Sequence, residues 1–123
     1  MSCYLTGHVA GTYHGLSSGP EADQPAQVVV TVQMRQVRPG APFVTGVLWC
    51  GPGEAGERRA ADVRRELVRG VPVGLAGDAV TYCARSNNLN VRGLNSVNVV
   101  TPKSNVVSFK SLRPTTPEPT TSP

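Results

Sequence analysis

The chain reads as a single all-β domain: five strands, one helix between the third and fourth, and a short unstructured tail. Three observations carry this reading. Valine dominates the composition, and of nineteen valines only Val63 and Val68 fall in the one segment with helical character. β-Branched side chains favour pleated surfaces over helices. Along residues 26–37, Val28, Val30, Val32 and Met34 alternate with Gln27, Thr31, Gln33 and Arg35, the period of two that gives a strand one buried and one wet face. Only residues 51–70, GPGEAGERRAADVRRELVRG, have the marks of a helix.

The elements follow in order. The first strand spans residues 3–13, with Tyr4, Leu5 and Val9 as apolar positions and glycines that permit a bend. Residues 14–25, rich in Pro, Gly and Ser, form a long loop to the second strand, 26–37. Arg38-Pro39-Gly40 then turns the chain into a third strand over 42–50, closing a hairpin. In the helix, Glu54 and Glu57 stand near the start, Arg65 and Arg69 near the end, and Gly70 stops it, the charge order that suits a helix dipole. Ala60, Val63 and Leu67 recur at helical spacing and mark its buried stripe. Strands over 71–85 and 97–109 follow, separated by the polar loop 86–96, SNNLNVRGLNS. Residues 114–123, PTTPEPTTSP, cannot join a core, so the domain is expected over 1–113 and a disordered tail over 114–123. Three strands, a helix and two strands fit a five-stranded OB-fold barrel; a split α+β sandwich reads the same way, and the barrel is preferred. Long valine-rich strands with internal glycines are what such a small, strongly bent sheet requires.

Length and composition exclude much. A chain of 123 residues has room for one modest core. No apolar run approaches the roughly 18 residues of a membrane helix, and MSCYLTGHVAG lacks the build of a signal peptide. The expectation is a soluble cytoplasmic protein. Cys3, Cys50 and Cys83 are odd in number and widely spaced, with no CxxC, so neither a disulfide scaffold nor a paired-cysteine zinc site is expected. No metal or other cofactor is expected.

The charge is unevenly placed. Residues 54–69 hold five arginines and four acids, a nearly neutral face with weak pairs such as Asp62 and Arg65. Outside the helix, residues 26–113 carry Arg35, Arg38, Arg85, Arg92, Lys103, Lys110 and Arg113 against one acid, Asp78. A strand surface so biased is the footprint of a polyanion site. Phe43 and Trp49 lie six residues apart and share a strand face with Thr45 and Val47. An aromatic pair on a basic face is a stacking platform for unpaired bases, worth roughly 1–3 kcal/mol per base; Trp49 capping the core is the competing reading. The loop 86–96 carries four asparagines with Arg92. In an OB barrel it borders the nucleic-acid groove, where Arg85 and Arg92 contact phosphates and do not read sequence.

The stretch Phe43-Val-Thr-Gly-Val-Leu-Trp49, the helix end Glu66-Leu-Val-Arg-Gly70 and the run Val71-Pro-Val-Gly-Leu-Ala-Gly77 together resemble bacterial single-stranded DNA-binding protein and its relative, primosomal replication protein N. Leu5-Thr-Gly-His-Val9 is similar to that family's first strand, and residues 97–112 to its last, so the resemblance covers about residues 3–112. It implies a barrel that binds single strands by stacking and basic contacts, as a dimer or tetramer. Phe43 and Trp49 then match the stacking aromatics, and Arg35 and Arg38 the basic contacts of the second strand and its hairpin. The full-length DNA-binding members end in an acidic tip closing with Phe; PTTPEPTTSP has one acid and no Phe. Partner recruitment by that route is not expected, and the departure leans toward a primosomal or accessory version.

The functional expectation is therefore a non-enzymatic protein that binds single-stranded DNA, or RNA on the same chemistry, with little sequence preference, in replication, repair or recombination. Arg35, Arg38, Arg85, Arg92 and Lys103 would neutralise phosphates and Phe43 and Trp49 would stack bases. The alternative is an OB-like protein-interaction module that binds no nucleic acid. Catalysis has little to draw on: no GxSxG, HExxH or P-loop is present. Its best candidate is Cys50 or Cys83 activated by His8 or His14.

Overall fold

A computed structural model of the chain describes residues 2–17, 26–101, 103 and 105–112. Eight strands and one helix run in the order β1 (Cys3–Ser17), β2 (Gln27–Arg35), β3 (Phe43–Gly51), α1 (Gly53–Glu66), β4 (Pro72–Gly77), β5 (Ala79–Cys83), β6 (Asn88–Arg92), β7 (Ser96–Val100) and β8 (Val106–Lys110). All eight strands belong to one sheet, ordered β5-β6-β3-β2-β1-β4-β7-β8. Neighbours are antiparallel except β3 and β6, which run parallel.

The alternation of β2 sets the core. Val28, Val30, Val32 and Met34 are buried on the side where α1 packs against β2 and β3. Ala60, Val63 and Leu67 of the helix stripe meet them there, joined by Val44, Leu48, Leu75 and Val97 from neighbouring strands. Burying a side chain of this size is worth roughly 1.5–3 kcal/mol. Gly70, at φ 92°, ends the helical region in a conformation open to glycine.

A register shift between Val9 and Gly11 divides β1. Before it, Cys3–His8 pair with β4; from His8 onward the strand pairs with β2. The shift reverses which side chains face outward. Thr12 and His14 therefore turn toward α1, where His14 Nε2 lies 2.7 Å from Glu57 Oε2 and Thr12 Oγ1 accepts from Arg64 Nε at 3.5 Å. β1 also continues to Ser17, four residues past the expected strand end.

The second half of the chain overturns the expected five-stranded OB barrel. The expected fourth strand, 71–85, breaks at Asp78 into β4 and β5. The expected loop 86–96 holds β6, and the expected fifth strand, 97–109, folds back as the β7–β8 hairpin. The sheet curls: Asp78 N–H donates to Arg92 O at 2.9 Å, Asn95 N–H to Ala76 O at 2.7 Å, and Leu112 N–H to Trp49 O at 2.8 Å. The ladder does not close, and it ends at β5 and at β8. An unclosed, mixed eight-stranded sheet is not the barrel of the bacterial single-stranded DNA-binding family, so that resemblance is withdrawn. DNA binding no longer follows from fold. The expected tail, 114–123, and residues 18–25 of the expected loop lie outside the described residues.

Two glycines of β1 test this packing. A Cβ on Gly7 would collide with the Arg35 carbonyl and stand 2.9 Å from Met34 Cγ, whereas one on Gly11 meets nothing within 4 Å. Gly7→Ala should destabilise by about 1–3 kcal/mol through overpacking. Gly11→Ala should be neutral or stabilising by up to about 1 kcal/mol, because glycine costs entropy in a strand. Urea unfolding of the two variants checks both signs.

Candidate nucleic-acid interface

Along β3, Phe43, Thr45, Val47 and Trp49 are exposed or half-buried, and Val44, Gly46, Leu48 and Cys50 are buried. The first set forms the outer face with Thr31 and Gln33 of β2, which pair with Val47 and Thr45. That face differs between its ends. At one, Val29 lies opposite Trp49 and is only 7% exposed. The main chain there is tied down, Trp49 N–H donating to Ser111 Oγ at 3.0 Å and its carbonyl accepting from Leu112. At the other end the face opens.

Met34 pairs with Val44, so the next residues outward, Arg35 and Phe43, are set against each other. The Arg35 guanidinium carbon lies 5.3 Å from the centre of the Phe43 ring. Such a cation–π contact is worth roughly 0.5–1 kcal/mol at an exposed site. The β2–β3 turn folds beside this pair: Gln36 Nε2 donates to Pro42 O at 3.0 Å, Ala41 N–H to Arg38 O at 3.1 Å, and Gly40 takes φ 77°. Together they enclose an open cleft of about 450 Å³ that includes Arg35, Gln36, Arg38, Phe43 and Asn87 in its lining, with no acidic residue among the described residues.

Asn87 reaches the cleft from the β5–β6 turn. Its φ of 50° is left-handed, a conformation asparagine tolerates better than most residues. Its carbonyl accepts from Phe43 N–H at 3.2 Å and its Oδ1 from Tyr82 OH at 2.9 Å. Beyond it, Thr45 Oγ1 donates to Asn88 Oδ1 and Asn88 Nδ2 to Asn90 Oδ1, each at 3.0 Å. Of these amides only Asn87 lines the cleft; Asn88 and Asn90 continue outside it along β6.

Of the residues expected in the site, Arg35, Arg38 and Phe43 therefore meet. Arg85 is exposed in the β5–β6 turn, two residues before Asn87. Trp49 stands six residues along β3 from Phe43, roughly 20 Å at strand rise. Arg92 ends β6, its carbonyl engaged by Asp78 N–H. Lys103 is exposed in the β7–β8 turn and does not line the cleft. The sequence alone carries no signal for Gln36 or Tyr82, and it marks Asn87 only as one of the four asparagines of the loop 86–96.

The thiols are placed apart. Burial pushes the Cys50 thiol up, partly offset by the Arg59 charge. Cys83 is held below the usual thiol value by hydrogen bonds from the Ser86 side chain and the Ser86 and Arg85 backbone. Among the described residues, no three His, Cys, Asp or Glu gather as a metal site, and no helix is long and apolar enough to cross a membrane. No protein-family model matches the chain, nor does any curated protein or solved structure.

The thiol environments make a direct prediction. At pH 7.5 iodoacetamide should label Cys83 well before Cys50, because the lowered group is more ionised and only half-buried while the raised one is buried. Ser86→Ala should slow Cys83 labelling, read by peptide mass spectrometry over time.

Proposed function

We propose that the protein binds single-stranded nucleic acid, with little sequence preference, in the cleft between the β2–β3 turn and Asn87. The observation that carries the reading is the Arg35–Phe43 pair beside Arg38, in a cleft with no acid among its described lining residues. The reading rests on this surface and not on fold. A single strand offers what the cleft complements: phosphates for two arginines and flat base faces for an exposed ring. A duplex hides its base faces in the stack. Arg85, beside Asn87, extends the positive rim. Asn87 and Gln36, the amides of the lining, supply donors and acceptors that suit any base edge.

The open strand edges favour a second reading. β5 and β8 end the sheet, and Val100 and Val106 of the β7–β8 hairpin are 39% and 66% exposed. A protein partner that adds a strand to β8 would use them.

Fluorescence anisotropy with a labelled thymidine oligomer of about 30 nucleotides separates the two. The single strand should bind more tightly than a duplex of equal length, and more weakly as salt rises. Phe43→Ala should weaken binding by about 1–3 kcal/mol at every salt concentration. Arg38→Ala should also flatten the salt slope by about 0.7, the value for one phosphate contact on a single strand. An absence of binding at low salt, or an unaffected Phe43→Ala variant, overturns the proposal and leaves the strand-edge reading.

A further inference from the structure

We infer that a second pocket on the far side of Arg35, formed with His8 and Arg69, binds a backbone phosphate of the same strand. This rests on the cleft reading above and extends it. The pocket has about 170 Å³ and is lined by His8, Val9, Ala10, Arg35, Arg69 and Gly70. The pocket is open to solvent on one side, so a phosphate can enter with its bridging water. Of its six described lining residues, three carry nitrogen donors that suit an anion and none is acidic.

Three separate elements build it. His8 of β1 pairs in register with Arg35 of β2, so the two side chains rise as outward neighbours. Arg69 comes from the turn after α1, which is clamped onto β1 by two backbone bonds. Gly70 N–H donates to Val9 O at 2.8 Å, and Val9 N–H donates to Val71 O at 2.9 Å. The left-handed Gly70 lets the chain leave the helix and dock there at once. Glu66, the last residue of α1 and the acid nearest in sequence, is not part of the lining. Among the described residues the ion pairs are His14 with Glu57 and Arg65 with Asp62, and Arg69 belongs to neither.

Arg35 lines both pockets. A strand whose base lies at Phe43 therefore passes Arg35 and brings a neighbouring phosphate to His8 and Arg69. The helix, nearly neutral as a whole, contributes to the polyanion surface through the one arginine that follows its end.

The test uses the full chain and a 5′-hydroxyl thymidine oligomer of about 30 nucleotides, titrated from low to moderate salt. Arg69→Ala should weaken binding about tenfold at low salt and lower the log–log salt slope by about 0.7. Arg58→Ala removes the same charge from the exposed face of α1 and should leave the slope unchanged. Arg69→Lys should recover part of the loss. If Arg69→Ala behaves like Arg58→Ala while Phe43→Ala and Arg38→Ala still weaken binding, the second pocket is overturned and the cleft reading stands. If Phe43→Ala and Arg38→Ala also leave binding unchanged, the cleft reading itself fails, and this inference with it. A preference for 5′-phosphorylated oligomer that Arg69→Ala abolishes would overturn the assignment to a backbone phosphate in favour of a terminal one.

Discussion

The alternation along β2 is the constraint on which the rest of the structure depends. Val28, Val30, Val32 and Met34 lock one side of the strand into the core under α1. A slip of one residue would turn that whole set into water. With the register so fixed, Thr31, Gln33 and Arg35 have no choice but to face out. Arg35 is thus held at the rim by four apolar side chains that never touch a ligand. Its neighbours are fixed by the same ladder: His8 on one side through β1, and Phe43 on the other through β3. The candidate surface is a consequence of core packing carried one pleat outward.

The places where the chain turns are the places where chemistry gathers. Gly70 brings Arg69 to β1, Gly40 shapes the turn that carries Arg38, and Asn87 brings the β5–β6 hairpin against Phe43. Each has a positive φ that most side chains resist. Strand interiors supply rigidity, and these turns set polar groups against them. Both pockets sit at the same end of the β1–β2–β3 meander, where three such turns converge around one arginine.

The first half of the chain was legible because its signals are local. The period of two in β2, the hairpin at Arg38-Pro39-Gly40 and the helix stripe of Ala60, Val63 and Leu67 all appear where expected. The second half misled because long apolar stretches were read as long strands. Thr101-Pro102-Lys103-Ser104-Asn105 is a polar run with a proline between two valine pairs, a turn signal that a strand over 97–109 had to ignore. Likewise Leu89 and Val91 alternate with Asn88, Asn90 and Arg92, a short strand hidden by its asparagines. Asn-rich sequence suggested a loop; here the amides line the outer face of a strand and bond one another. In the site, Arg35, Arg38 and Phe43 were visible as types and spacing. Their contact with Asn87 was not, because β3 and β6 pair in parallel across more than forty residues, and nothing in a single sequence specifies that register. The same holds for Arg69, whose place beside His8 depends on two backbone bonds to Val9.

The position of Arg35 also bears on how the two pockets act together. In the free protein its guanidinium covers the Phe43 ring, a contact worth roughly 0.5–1 kcal/mol at an exposed site. A base stacking on that ring is worth roughly 1–3 kcal/mol, so the exchange favours the base even before Arg35 finds a new partner. The displaced guanidinium is not stranded, because the His8–Arg69 pocket shares it. On the proposed reading a phosphate there would give it a charged acceptor, and bonds of that kind are roughly twice as strong as neutral ones. Placing the arginine over the ring keeps an apolar surface covered in water and holds the cation within reach of both sites. A lysine could carry the charge but not the flat stack on the ring or the forked contact to phosphate. The geometry of the cleft therefore requires arginine at the end of β2, where the core's own alternation has put it.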